Sequence, residues 1–274
     1  MKKKQKFVLF SFLVSALLFL AFFCSENIVT KKRSTDFKEA SYEMEAETSG
    51  KDCILAESDD LGWDYMDKLI FLGESTTYGL WRYGMLSGGV NTTQVWTGAV
   101  CINGKATCAG TLSLSPSIAQ TMIYYPESRA PMTVAQAVAA ADPQYLVITL
   151  GLNNGASYYT EDQFKRCYRM LLDSIKGASG EVTVILQSIF PIARACKISA
   201  YTPERITLCN TWIRDLACEY GLKYLDTASV LADENGYLFP EYDNGGDGIH
   251  LNENGLSAVV SYIKTHGHPK ELEE

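Results

Sequence analysis

Four apolar runs, each too short to be a helix, constrain this chain most. They lie at 68–72, 144–150, 182–187 and 223–226, and the first two stop at Gly73 and Gly151. Consecutive Leu, Ile, Val and Phe over such lengths fit strands buried on both faces, where alternation with polar residues is lost. Between them run helical patterns at 133–141, 161–176, 203–220 and 252–265. Thr160 with Gln163 spells a capping box, and Thr202-Pro203 places proline at a first helical position. Strands alternating with helices predict an α/β fold, a mainly parallel sheet covered on both faces. Ligands of such sheets sit at the carboxyl ends of the strands. That rule directs attention to the residues just after Leu72, Leu150 and Leu186.

The N-terminal part has a different character. Lys2, Lys3, Lys4 and Lys6 precede an apolar run over residues 7–23, long enough as a helix to span about 25 Å. The basic cluster predicts a cytoplasmic N-terminus and an exported remainder. An uncleaved signal-anchor is favoured over a cleaved signal peptide, since Phe22-Phe23-Cys24-Ser25 offers no small residue for cleavage. A lipid anchor on Cys24 is the third reading, with the bulky Phe23 against it. All three put the domain outside the cytoplasm. Residues 25–60 are polar and acidic, and read as a flexible stalk. The expected partition is therefore an anchor or signal segment (1–24), a stalk (25–60), one domain (61–268) and a polar tail (269–274).

Charge follows that partition. Residues 1–33 hold seven of the 24 Lys and Arg but a single Glu, which leaves the rest of the chain at net −14. An acidic exported domain argues against nucleic acid as a partner. Eight cysteines are present. Export permits disulfides, and the short loops Cys101 to Cys108 and Cys196 to Cys209 are candidates, with buried free thiols as the alternative. No C-x-x-C pair occurs and His is scarce, so no metal site is expected. His266 and His268 fall in a polar end.

Three segments carry chemistry. After the first strand comes Gly73-Glu74-Ser75-Thr76-Thr77, a turn that exposes a hydroxyl where a helix start offers free N–H groups. As a single signal it reads as a helix cap more often than as a nucleophile. After the second comes Gly151-Leu152-Asn153-Asn154-Gly155, in which Asn is either a cleft-facing donor or a turn residue. Near the end comes Asp247-Gly248-Ile249-His250, a spacing that lets a carboxylate orient an imidazole. Outside the last nine residues, His250 is the one histidine available as a general base.

Taken in order, these segments resemble the SGNH/GDSL hydrolases, over about residues 67–265. The resemblance implies a flavodoxin-like three-layer α/β/α sandwich and hydrolysis of an ester without a cofactor. It implies Ser75 as nucleophile, His250 as base and Asp247 as its partner. The Ser75 N–H and Asn153 would be oxyanion donors, joined by a glycine N–H for which Gly110 is chosen over Gly98 and Gly104. The chain departs from the family pattern at Glu74 and Asn154, each of which stands where the family has Asp. Tyr78, Trp81 and Trp96 are candidate cleft aromatics. The expected substrate is an O-acylated carbohydrate or cell-wall polymer, most simply an O-acetyl ester, or a small ester. The alternatives are O-acyl transfer to a glycan, a lipase or lysophospholipase activity, and a non-catalytic surface-binding module.

Overall fold

The computed structural model describes residues 53–103 and 105–269. Its centre is a five-stranded parallel sheet of β1 (Leu69–Gly73), β2 (Val95–Trp96), β7 (Tyr145–Thr149), β8 (Thr183–Gln187) and β9 (Lys223–Leu225), in the order β2-β1-β7-β8-β9. The register sets Phe71 beside Val147 and Ile148 beside Leu186. All five residues of β7 are buried, which is why it reads as an unbroken apolar run.

Side chains alternate across each strand, so the sheet feeds two cores. Leu72, Leu146, Ile148 and Leu186 pack with α3 (Val134–Ala141), α4 (Glu161–Ala178) and α5 (Pro203–Tyr220). Leu69, Phe71, Val147 and Ile185 pack with α1 (Gly62–Met66), α2 (Ser75–Arg82) and α6 (Glu253–Thr265). This is the expected three-layer sandwich. The caps expected from sequence are formed: Thr160 and Gln163 bond reciprocally at the start of α4, and the Thr202 side chain accepts the Arg205 N–H.

The chain goes from β1 to the edge strand β2 and then back past β1 to β7. The carboxyl ends of β1 and β7 therefore flank the topological switch point, where doubly wound sheets form their binding crevice.

Three features depart from the sequence reading. The segment around Cys101 and Cys108 is a hairpin of β3 (Ala99–Ile102) and β4 (Lys105–Cys108), in which Cys101 faces Ala106 and Cys108 faces Ala99. The two cysteines are out of register and both are free, as are Cys196 and Cys209; among the described residues a disulfide joins Cys53 to Cys218. The turn signal was Asn103-Gly104, with Asn103 at positive φ as hairpin turns require. A second hairpin pairs β5 (Met122–Tyr125) with β6 (Ala130–Thr133). Finally, the folded domain begins earlier than residue 61. The Leu55 N–H donates to the Tyr224 carbonyl, the Ser58 N–H donates to that of Thr265, and Leu55 is buried.

The expected membrane segment at 1–24 lies outside the described residues. Among those described, no helix is long and apolar enough to cross a membrane.

Candidate active site

Ser75 is the first residue of α2, straight after β1. The turn is tight. A Cβ on Gly73 would meet Thr77 Oγ1 and come within 2.7 Å of the Thr149 carbonyl oxygen, so only glycine lets the strand pass that close. The Tyr78 N–H already closes the first helical bond onto the Glu74 carbonyl. The N–H groups of Ser75, Thr76 and Thr77 therefore have no acceptor inside the helix, and they mark its positive end.

His250 comes from the loop before α6. Its Nε2 lies 2.8 Å from Ser75 Oγ, and its Nδ1 lies 2.6 Å from Asp247 Oδ2. A carboxylate only accepts, so Nδ1 carries the proton given to Asp247 and Nε2 accepts from the Ser75 hydroxyl. Asp247 Oδ1 also accepts the N–H groups of Ile249 (2.8 Å) and His250 (3.0 Å). Partial burial pushes the Asp247 carboxyl up. The hydrogen bonds from the His250 ring and from these N–H groups outweigh that, and hold it below the ordinary Asp value. The Gly248 carbonyl accepts the Ala193 N–H and the His250 carbonyl accepts that of Asn244, so the loop is pinned on both sides. Ser75, 175 residues away in sequence, thus joins the local His250–Asp247 pair in one relay, Asp247 to His250 to Ser75.

Glu74, which stands where the family pattern has Asp, ties two turns together. It is 1 % exposed, and its two oxygens accept the N–H groups of Leu152 (2.8 Å) and Asn153 (2.7 Å). Burial pushes its carboxyl up to about 7, against the pull of the Asn153, Leu152 and Gly151 N–H groups. One side chain therefore couples the Ser75 turn to the Asn153 turn. On its other side the Asn153 turn is held through its carbonyls. Tyr168 Oη donates to Leu150 O, Tyr201 Oη to Leu152 O, and Arg205 to the carbonyls of Gly155, Ala156 and Tyr159. The turn needs such support: Gly151 sits at φ 122°, and Asn154 is non-helical at φ 68°.

Asn153 Nδ2 donates to Thr111 Oγ1 (3.1 Å) and to Leu112 O (3.0 Å). It thus adjoins the segment that follows Gly110. Gly110 has φ 66° and would press a Cβ against the Tyr78 ring, while its N–H points to Cys108 Sγ at 3.4 Å. Gly98 lies at the base of the hairpin, where its N–H donates to Thr111 O; Gly104 is outside the described residues.

A pocket of about 290 Å³ opens beside the relay, and Ser75, Tyr78, Arg82, Tyr83, Asn244 and His250 are among its lining residues. Two of the expected cleft aromatics do not line it. Trp96 is 1 % exposed and packs edge-on against Tyr125, because β2 turns it into the core. Trp81 stacks on Tyr78 from behind, with ring centroids 5.0 Å apart. The aromatic that sequence reasoning missed is Tyr83, just past the end of α2.

A sequence model of the GDSL-like lipase/acylhydrolase family matches residues 71–257, which takes in the end of β1, the Ser75 turn, the Asn153 turn and the His250 loop. No curated protein matches the chain. Among solved structures, a candidate platelet activating factor from Streptococcus pneumonia is similar at 15 % identity and TM-score 0.50, over 89 % of this chain and 97 % of that one. A candidate acylhydrolase from Bacteroides fragilis is similar at 21 % identity and TM-score 0.50, over 77 % of this chain and 88 % of that one. A GDSL-like lipase from Bacteroides thetaiotaomicron is similar at 18 % identity and TM-score 0.48, over 83 % and 95 %.

Proposed function

The chain belongs to the GDSL-like lipase/acylhydrolase family and is an ester hydrolase, and from that premise we propose that it cleaves short O-acyl esters of a carbohydrate outside the cytoplasm, with Ser75 as nucleophile. The observation that carries the assignment of residues is the relay: 2.6 Å from Asp247 to His250, and 2.8 Å from His250 to Ser75.

The mechanism follows from that geometry. Ser75 Oγ attacks the acyl carbonyl while His250 Nε2 takes the hydroxyl proton. Asp247 holds the imidazole in the tautomer that leaves Nε2 free and stabilises the cation that forms. The tetrahedral intermediate collapses, and His250 returns the proton to the departing alcohol oxygen. Water, deprotonated by His250, then attacks the acyl-Ser75 ester and releases the acid. The Ser75 N–H at the positive end of α2 is the readiest oxyanion donor. Asn153 and Gly110 are the further donors of this reading; using them means exchanging the Asn153 Nδ2 bond to Thr111 Oγ1, and the Gly110 N–H bond to Cys108 Sγ, for one to the oxyanion.

Two features support the substrate class. A pocket of about 290 Å³ is at the small end for ligand sites, which suits an acetyl group better than a long acyl chain. Its lining mixes tyrosine, amide and cation with Leu251 and Leu256, as a sugar requires. The location rests on the basic-then-apolar N-terminal segment, joined by the Cys53–Cys218 disulfide, a bond that persists in oxidising compartments.

The purified full-length chain should hydrolyse p-nitrophenyl acetate, with loss of about a million-fold in kcat for Ser75→Ala. Covalent labelling by a serine-directed phosphonate should map to Ser75. Full activity in the Ser75→Ala protein would refute the assignment. Release of acetate from acetylated xylan or peptidoglycan, set against hydrolysis of short-chain lipids, tests the substrate class.

A further inference from the structure

Arg82 occupies a distinctive place. Ser75, Tyr78, Gly79 and Arg82 follow one another at i, i+3, i+4 and i+7 along α2, so they share one face of that helix. All four line the pocket. Helical side chains lean toward the N-terminus, over the preceding turn. Arg82 therefore leans back toward Ser75, across a position where Gly79 presents no side chain. Seven residues rise about 10 Å, and the lean recovers about one turn of it. Arg82 is exposed, and it and Ser75 line the same pocket.

Arg169 pairs with Glu219 and Arg194 with Asp233, whereas among the described residues Arg82 makes no ion pair. No Asp or Glu lines the pocket. The nearby carboxylate, Asp247, is already occupied by the His250 ring and two N–H groups. The pocket lining thus holds a cation and no carboxylate, within a chain of net charge −8. A guanidinium left free at a reaction pocket offers a planar fork that matches a carboxylate.

We propose that Arg82 is a specificity-determining residue that binds a carboxylate on the sugar bearing the scissile ester, so that the preferred substrates are O-acylated sugar acids rather than neutral sugars. The inference rests on the esterase reading of the same site and narrows its substrate. Asn244, on the facing wall, already binds the Gly246 N–H through Oδ1 at 2.8 Å. That leaves its amide N–H₂ as the polar group for a neighbouring hydroxyl.

The test uses a matched pair, mono-O-acetylglucuronic acid and mono-O-acetylglucose, which differ only in the C6 carboxylate, with p-nitrophenyl acetate alongside. The wild-type full chain should favour the glucuronate ester by at least about tenfold in kcat/KM, the discrimination expected of a hydrogen bond to a charged group. The preference should shrink as salt rises. Arg82→Gln should bring the ratio close to one, and Arg82→Lys should keep part of it. Because the ratio is internal to each variant, the amount of folded protein cancels. Equal rates on the pair in wild type, or a preference that survives Arg82→Gln, would overturn the proposal. So would an Arg82-dependent preference for a short phospholipid over a neutral glyceride without one between the sugars, which would set the cation against a lipid phosphate. Failure to turn over any ester, p-nitrophenyl acetate included, would instead bring down the esterase reading beneath it.

Discussion

Glu74 does more here than fill a turn. As the cap residue of α2 its side chain makes no bond to its own helix; both carboxylate oxygens are spent across the sheet end on Leu152 and Asn153. The extra methylene relative to Asp is what carries the carboxylate across to the neighbouring turn. Its proton affinity has a consequence for stability. The folded value near 7 lies above the ordinary 4.5, so the folded state holds the proton more tightly than the unfolded chain. That contribution is fully present below pH 4.5 and is lost as pH rises through 7. The shift amounts to roughly 3 kcal/mol. Glu74→Gln should therefore flatten the fall in stability between pH 4.5 and 7, measured by urea melts at several pH values. A slope identical to that of wild type would show that the carboxyl does not titrate there. Glu74→Asp should lower activity by withdrawing the carboxylate from Asn153.

At the scale of elements, the Asn153 turn is a loop made rigid from outside. Its own backbone departs from helical geometry at Asn153 and Asn154, and its carbonyls depend on donors from α4, α5 and Tyr201. Arg205 contributes most, with Nε on Ala156 O at 2.8 Å and Nη2 on Gly155 O at 3.0 Å, while its guanidinium lies over the Trp212 ring at 4.9 Å. Arg205→Ala leaves several carbonyls without donors. It should cost about 2–4 kcal/mol by urea midpoint at unchanged m-value, and should lower kcat by letting Asn153 shift. Arg205→Lys keeps the charge but loses the fork, so it should recover only part of both. Full activity in Arg205→Ala would show that the turn holds its shape unaided. The buried chain from Thr149 through Gln187 to Thr227 ties β7 and β8 to the segment after β9 in a similar way.

For the whole molecule, the Cys53–Cys218 bond spans 165 residues of sequence and joins the start of the folded domain to the end of α5. A loop that long restricts the unfolded chain strongly, and removing such a bond typically costs about 2–4 kcal/mol. The Cys53→Ser, Cys218→Ser double variant, or wild type under reductant, should melt earlier by that amount. An unchanged melting temperature under reductant would remove the bond as support for an oxidising location. The five free cysteines among the described residues, of which Cys167 and Cys209 are buried, should leave that comparison undisturbed.

What could be read from the chain alone was whatever is written in contiguous residues. The sheet strands other than β2 showed because burial on both faces demands unbroken apolar runs, and the caps of α4 and α5 showed because capping acts over three residues. Ser75, Asn153, Asp247 and His250 were named because strand-end turns and an i, i+3 spacing are local. Other features needed the fold. β2 is two residues long, too short to show a period, so Trp96 could not be recognised as core. The pairing of Cys53 with Cys218, the reach of Glu74 to Asn153 and the grip of Arg205 on its turn are contacts between residues remote in sequence, while Arg82 and Ser75 line one pocket because they share a face of α2. Sequence proposes residue types, whereas burial, hydrogen-bond partners and uncompensated charge arise only once packing brings the strand ends together.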